Sequence, residues 1–394
     1  MQIMKIAIIH DWLTGMRGGE KCLEVICKLY PSADLFTLLH IPGKVSPIIE
    51  SHPINTSFIQ KLPFAKSKYR YYLPLMPFAI ETFDLKEYDL ILSSSHCVAK
   101  SVKPGPNSLH ICYCHTPMRY IWDQFNQYFG KGKSSWFSAT VMKLLRPWLQ
   151  RWDAKTSRRV NYFIANSRHV QKRIKKYYEK EATIIHPPVD TELFTPKKTK
   201  EKGDYFLIVS AFAPYKRLDL AVEAFNQLGL PFFIIGEGQD SKRLKNMALS
   251  NIQFEGWLDN SEIRSYFARC RAFVFCGEED FGITLLEAQA MGRPVIAFGK
   301  GGALETVIPD SQTWTPQTEI PQRSTSQPTG VFFYEQTSDA LIKAIKDFQS
   351  IESQFDSNTI RTHAQKFDTS VYTKRIKSFI EEKLEKHLGK TQLK

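Results

Sequence analysis

The chain is 394 residues long, with 53 Lys and Arg against 40 Asp and Glu for a formal net charge of +13, and it is 43% hydrophobic and 24% charged. That length exceeds one ordinary core and predicts two domains, while the balance is globular and no apolar run reaches the roughly 18 residues of a membrane span. Residues 1–9 lack the basic leader and cleavage site of a secretory signal, and seven scattered cysteines predict a reducing cytosol. Cys112 and Cys114 have no second pair at zinc spacing, so no metal site is expected.

Short β-rich runs alternate with helical spacing, the pattern of parallel sheets covered on both faces. In the first half the predicted strands are 5–9, 35–39, 89–93, 109–114, 162–165 and 183–185. Ligands of such sheets bind at the carboxyl ends of strands, so the polar residues after each run are the candidates. The first run leads into His10, Asp11 and a loop that sets Gly18 and Gly19 at the start of a helix. This is not the dinucleotide pattern, and the pair reads either as a tight turn or as backbone open to a phosphate. Residues 58–78 mix Lys61, Lys66, Lys68 and Arg70 with Phe64, Tyr69, Tyr71, Tyr72 and Leu75, which suits a polyprenyl diphosphate head group and ordinary packing equally. After 109–114 comes His115, placed to orient a sugar hydroxyl or to serve as a structural histidine.

The positive charge is concentrated. Residues 143–180 hold twelve Lys and Arg against Asp153 and Glu179, a local net charge of +10. Trp136, Phe137, Val141, Met142, Leu144, Leu145, Trp148 and Trp152 interleave with its upstream cations on a predicted amphipathic helix. Such a helix suits an anionic membrane surface, or it buries its aromatics in its own domain. No nucleic-acid-binding motif accompanies the charge, and nucleic acid is not expected as a partner.

Residues 186–190, with Pro187 and Pro188, and the Lys-rich 197–202 read as an extended linker and hinge. Beyond it the predicted strands are 205–209, 232–235, 252–254, 273–276, 294–297 and 331–333. Lys216 and Arg217 follow the first of these and place two cations beside the next feature, while Gly256, Trp257 and Leu258 are expected to line a base pocket. After 273–276 the chain reads Glu279-Asp-Phe-Gly-Ile-Thr-Leu-Leu-Glu287 and becomes helical near Gly282. The backbone N–H groups of Phe281, Gly282, Ile283 and Thr284 favour an anion such as a diphosphate, and Glu279 and Glu287 flank it with carboxylates that suit vicinal hydroxyls. Residues 309–329 read as a surface excursion without chemistry. Residues 370–394 read as a helix that packs on either domain.

Together these residues resemble the retaining glycosyltransferases of family GT4, which have the GT-B fold of two Rossmann-like domains facing each other across a cleft. Glu279 to Glu287 matches the family's Glu-x7-Glu motif. His115 in Cys-His-Thr-Pro-Met-Arg-Tyr and the Pro-Tyr-Lys-Arg at 214–217 look like the branch typified by O-antigen mannosyltransferases acting on lipid-linked glycans. The resemblance implies an acceptor domain at 1–190, a donor domain at 191–369 and a C-terminal helix at 370–394 that packs back on the first. It implies that Glu279 contacts the donor sugar, Glu287 the ribose, Lys216 and Arg217 the diphosphate, Gly18 and Gly19 the phosphate side of the first domain, and His115 the reacting sugar. Where many relatives have an Arg this chain has Ala211, so the second diphosphate cation either comes from Arg217 or is missing. The expected function is metal-independent and cofactor-independent transfer of a hexosyl group from UDP-glucose or GDP-mannose to a glycan or polyprenyl-linked acceptor in surface polysaccharide synthesis. The expected location is cytoplasmic, peripheral at the inner face of the cell membrane. A nucleotide-sugar epimerase of the same fold and a catalytically silent membrane-associated scaffold remain as alternatives.

Overall fold

Apolar runs too short for helices become thirteen strands among the residues described by the computed structural model, which are 4–130, 136–196, 203–310 and 327–391. The linker residues 197–202 and most of the 309–329 excursion lie outside the described residues. The chain divides into two units, Met1–Pro188 with Ser370–Lys394, and Val189–Thr369.

The first unit is built on β1 (Ile6–His10), β2 (Asp34–Thr37), β3 (Ile54–Thr56), β4 (Leu90–Ser95), β5 (Leu109–Cys114), β6 (Tyr162–Ala165) and β7 (Ala182–Ile184). Their order is β3-β2-β1-β4-β5-β6-β7 and every pairing is parallel. The order of connection reverses between β1 and β4, which opens a crevice at the carboxyl ends of those two strands. β4 and β5 are buried at every residue, as strands covered on both faces must be. β3 has no counterpart among the predicted strands. It is a three-residue edge strand with Ile54 half-buried and Asn55 and Thr56 exposed, so it carries no apolar run to read.

Alternate residues of these strands feed two cores. Ile8, Leu35, Leu92 and Ile111 meet Leu23 and Ile26 of the helix Gly18–Leu29 and Tyr372, Ile376, Phe379 and Ile380 of the helix Thr369–Thr391. The C-terminal helix therefore belongs to the first unit, and each of its core side chains contributes about 1.5–3 kcal/mol by leaving water. Ile9, Phe36 and Ile91 point the other way, toward Met76, Met142 and Leu149.

The basic segment does two things. Arg146 donates to the Ile121 and Trp122 carbonyls, Arg159 pairs with Glu81 at 2.8 Å, and Arg173 with Asp123 at 2.6 Å, so these three cations are internal braces. The aromatic face also divides. Met142 and Leu149 are buried and Trp152 donates to Glu81, whereas Trp136, Phe137 and Leu144 are 81%, 69% and 76% exposed. Trp148 stacks on exposed Phe78 with ring centroids 5.7 Å apart. No helix of the described residues is long and apolar enough to cross a membrane.

His110 on β5 gives the unit an acid sensitivity. Its Nδ1 lies 3.2 Å from the Arg159 carbonyl, an acceptor only, so Nδ1 carries the proton and Nε2 accepts from Ser93 Oγ at 2.8 Å. Burial pushes its pKa down to about 4, and the Arg159 carbonyl only partly opposes this. Between an unfolded value of about 6.5 and a folded value of about 4, the unfolded chain binds a proton that the fold does not, so stability falls as pH drops through that window. Going from pH 7 to pH 5 should cost about 2 kcal/mol through this group. Urea unfolding at the two pH values should show a pH dependence smaller by that amount in His110→Gln, and an unchanged dependence would remove His110 as its source.

The second unit holds β8 (Phe206–Val209), β9 (Phe232–Ile235), β10 (Ile252–Glu255), β11 (Phe273–Phe275), β12 (Val295–Phe298) and β13 (Gly330–Phe333). All pairings are parallel in the order β10-β9-β8-β11-β12-β13, and the reversal falls between β8 and β11. The chain enters and leaves this unit side by side, with Val189 N–H donating to the Phe367 carbonyl at 3.0 Å and Thr369 N–H to the Val189 carbonyl at 3.1 Å.

Candidate functional site

In the second unit the reversal point carries opposite charges from its two strands. The loop after β8 makes a short 3-10 turn, Pro214–Lys216, and Arg217 follows in the left-handed region with φ 54°. The loop after β11 runs from Cys276 to Gly282 before the helix Ile283–Ala290. Lys216 Nζ pairs with Glu279 Oε1 between these loops, the two side chains being 17% and 15% exposed. Lys216 also lies over the Tyr215 ring, 5.3 Å from its centroid. Arg217 is held differently, by Asp219 at 3.2 Å and by Gln336, whose own amide donates to the Cys276 carbonyl.

The backbone of Glu279 is fixed by a second loop. Gly302 N–H donates to the Glu279 carbonyl at 2.8 Å, and a Cβ on Gly302 would stand 2.2 Å from Phe281 Cα, so only glycine permits this approach. Gly282 caps the helix with φ 88° and no side-chain hydrogen bond. The first N–H groups of an α-helix have no partner within it, and here they follow directly on the Glu279 loop. Phe281 is buried against Phe367, Ile283 and Thr284 are half-buried, and Glu287 is 6% exposed within the helix.

A cavity of about 410 Å³ lies at the carboxyl ends of β8, β9 and β10, lined among others by Phe212, Glu237, Ser241, Lys245, Phe254 and Gly256. Gly256 was expected at such a pocket. Trp257 and Leu258 do not line it; Trp257 is 76% exposed and Leu258 packs against the core. Gly236-Glu237-Gly238 also lines it, and a Gly-Glu-Gly immediately after a strand run is a readable signal in the sequence.

In the first unit the reversal point collects imidazoles. Asp11, fully buried, accepts from the N–H groups of His96, Cys97, Val98 and Ala99 at 2.6–2.9 Å and holds the loop after β4 against the end of β1. His96 rests edge-on against Trp12, and burial, with His10, keeps its pKa well below the ordinary imidazole value. His115 Nε2 lies 2.8 Å from Ser94 Oγ. A Cβ on Gly19 would stand 3.6 Å from His115 Nε2, so the fold brings these two sequence candidates together, with Gly18 beside them opening the helix. Among the described residues no group of three or more His, Cys, Asp and Glu has the arrangement of a metal site.

Two family models match the chain, "Glycosyltransferase Family 4" over residues 35–193 and "Glycosyl transferases group 1" over 189–366. An O-antigen chain mannosyltransferase C of Escherichia coli is 31% identical over 175 residues, 40% of this chain and 46% of that protein. A GDP-mannose-dependent monoacylated α-(1-6)-phosphatidylinositol monomannoside mannosyltransferase of Corynebacterium glutamicum is 29% identical over 173 residues, 36% and 45% of the two chains. The chain thus spans about half the length of the curated relatives it matches. Among solved structures, HepE of Anabaena in complex with UDP superimposes with a TM-score of 0.68 at 16% identity over 96% of this chain and 100% of that one. Sucrose-phosphate synthase of Thermosynechococcus elongatus gives 0.70 at 16% identity over 96% and 98%. At that identity the likeness is one of fold.

Proposed function

Since the chain belongs to the GT4 glycosyltransferases and has the two Rossmann-like sheets of the GT-B fold, we propose that it transfers a hexosyl group from a nucleoside-diphosphate sugar to a glycan or lipid-linked saccharide in surface polysaccharide synthesis. UDP-glucose and GDP-mannose are the first donors to test. The observation that carries this reading is the Lys216–Glu279 pair at the β8/β11 reversal, next to the Gly282 helix start. A diphosphate there meets helix N–H groups and competes with Glu279 for the Lys216 ammonium. The carboxylate so released accepts hydrogen bonds from the sugar. As the bond from the anomeric carbon to the diphosphate breaks, negative charge grows on the leaving oxygen, and Lys216 and Arg217 stabilise it without a metal. The acceptor oxygen bonds to the same face of the anomeric carbon and its proton passes to the departing phosphate, which retains configuration. Glu287 is assigned to the ribose, Gly18 and Gly19 to a phosphate, His115 to the reacting sugar, and the cavity beside Gly256 to the base.

A polyprenyl-diphosphate-linked sugar incubated with each donor tests this reading. Formation of an extended lipid-linked product that Glu279→Gln abolishes supports it. Donor turnover without acceptor supports the epimerase, and polymer synthesis unaffected by Glu279→Gln supports the scaffold.

The exposed aromatic surface around Trp136, Phe137, Leu144, Trp148 and Phe78, flanked by exposed Lys143 and Arg151, suits an anionic bilayer and underlies a peripheral location at the inner membrane face. Replacing Trp136, Phe137 and Leu144 with Ser should weaken flotation with phosphatidylglycerol vesicles by roughly tenfold or more, given the apolar area withdrawn. Equal flotation of both proteins would place the contact elsewhere.

A further inference from the structure

Glu20, His10 and Ser94 form a chain of buried polar groups that ends on His115 and that neither helix capping nor core packing explains. His10 and Ser94 are completely buried and Glu20 is 4% exposed. Ser94 Oγ lies 3.1 Å from His10 Nδ1 and 2.8 Å from His115 Nε2. His10 Nε2 faces Glu20 Oε1 at 3.6 Å, an ion-pair rather than a hydrogen-bond distance, and has no closer polar partner.

A hydroxyl has one proton and two lone pairs. Buried between two imidazoles, the Ser94 hydroxyl donates to one ring and accepts from the other, so the protons on His10 Nδ1 and His115 Nε2 are linked. We infer that Glu20 and His10 are positioning residues that act through Ser94 to set which ring nitrogen of His115 carries its proton. The Glu20 carboxylate only accepts, so neutral His10 turns its N–H toward Glu20 and leaves Nδ1 bare. Ser94 then donates to His10 Nδ1 and accepts from His115 Nε2–H. A second proton on His10 reverses the chain: His10 Nδ1 donates to Ser94, Ser94 donates to His115 Nε2, and the His115 proton moves to Nδ1. A Cβ on Gly19 would stand 3.7 Å from His10 Cε1 and 3.6 Å from His115 Nε2, so the helix start runs close beside both rings.

The capping role of Glu20 uses its other oxygen, Oε2, which accepts from Arg17 N–H at 3.0 Å, and an uncharged Gln serves it equally. Keeping a charge there is costly, because burial raises the pKa of Glu20; the His10 ring facing its carboxylate leads the interactions that outweigh burial and leave it below the usual carboxylate value. The other charged or titratable groups around the relay are Asp11 and Arg17 on the β1 loop and Lys21 and Cys22 on the helix. His96 stands on the β4 loop with its ring 6.0 Å from that of His10, Tyr113 on β5 with its ring 5.0 Å from that of His115, and Arg119 beyond β5.

The role of His115 toward a sugar hydroxyl rests on the proposed function, while the tautomer does not. Long-range proton–nitrogen NMR of the full chain with labelled histidine reads it directly. The wild type should show His115 as the Nε2–H tautomer at pH 8, and Glu20→Gln and Ser94→Ala should each convert it to Nδ1–H or a mixture. In sugar transfer, Glu20→Gln should move the pH profile and kcat while leaving KM for the donor unchanged. A wild-type Nδ1–H tautomer at pH 8, which needs no variant to fold, would overturn the relay, as would a tautomer identical in wild type and both variants. If the tautomer responds to Glu20 and no donor is turned over, the relay stands and the transferase reading falls.

Discussion

Replacing Lys216 with Ala is expected to lower the rate of sugar transfer on the order of 10²–10³-fold, the loss typical when a preorganised group facing transition-state charge is removed. The side chain stands on the turn after β8, so its removal opens no hole in the sheet core. What it leaves is the Glu279 carboxylate, only 15% exposed and without its cation. The two residues share one interaction, so Lys216→Ala and Glu279→Ala should be strongly non-additive when combined. Arg217, braced on Asp219 and Gln336, does not replace Lys216 in this account. Steady-state kinetics of the two single variants and the double variant make the check, and a Lys216→Ala enzyme within threefold of wild type would show that charge development is met elsewhere.

The largest effect on folding is expected from Asp153→Ala. Lys100 and Asp153 are 1% and 0% exposed and pair at 2.9 Å, and Lys100 Nζ also donates to the Asp153 carbonyl at 2.8 Å. The second carboxylate oxygen accepts from Trp122 Nε1 at 2.8 Å and from the Tyr178 hydroxyl at 2.9 Å. Lys100 sits 4.6 Å from the Tyr178 ring centroid. This one carboxylate ties the helix Trp136–Thr156 to the turn after β4 and to the helix Arg168–Tyr178. Removing it strands a buried ammonium and leaves the Trp122 and Tyr178 donors without their acceptor, a loss of about 3–5 kcal/mol. Replacing Lys100 with Met as well should recover part of it, because the uncompensated charge is gone. Urea unfolding of the first unit measures both, and an Asp153→Ala loss below about 1 kcal/mol would contradict the burial of this pair.

How far the sequence could be read depended on whether a feature is local. The Glu279 loop, the Gly282 helix start and the Gly18-Gly19 turn are contiguous, and twelve of the strands announce themselves as apolar runs. β3 gives no such signal because an edge strand with one half-buried residue needs none. The braces Arg146, Arg159 and Arg173 are indistinguishable from surface cations in sequence, since their acceptors lie 24 to 78 residues away. For the same reason His10 and Glu20 stood in view next to Gly18 and Gly19, but their link to His115 passes through Ser94, a serine on a central strand that nothing local marks. The aromatic helix carried two competing readings, and the structure divides it between them, with Met142 and Leu149 inward and Trp136, Phe137 and Leu144 outward.

The reversal point of the second sheet is proposed as a nucleoside-diphosphate site. Isothermal calorimetry of the protein against UDP, GDP, UDP-glucose and GDP-mannose in metal-free buffer tests it most directly, with Glu287→Ala as the control. One base family should bind tightly, and that substitution should weaken it. Absence of binding to all four, or binding indifferent to Glu287, would contradict that assignment.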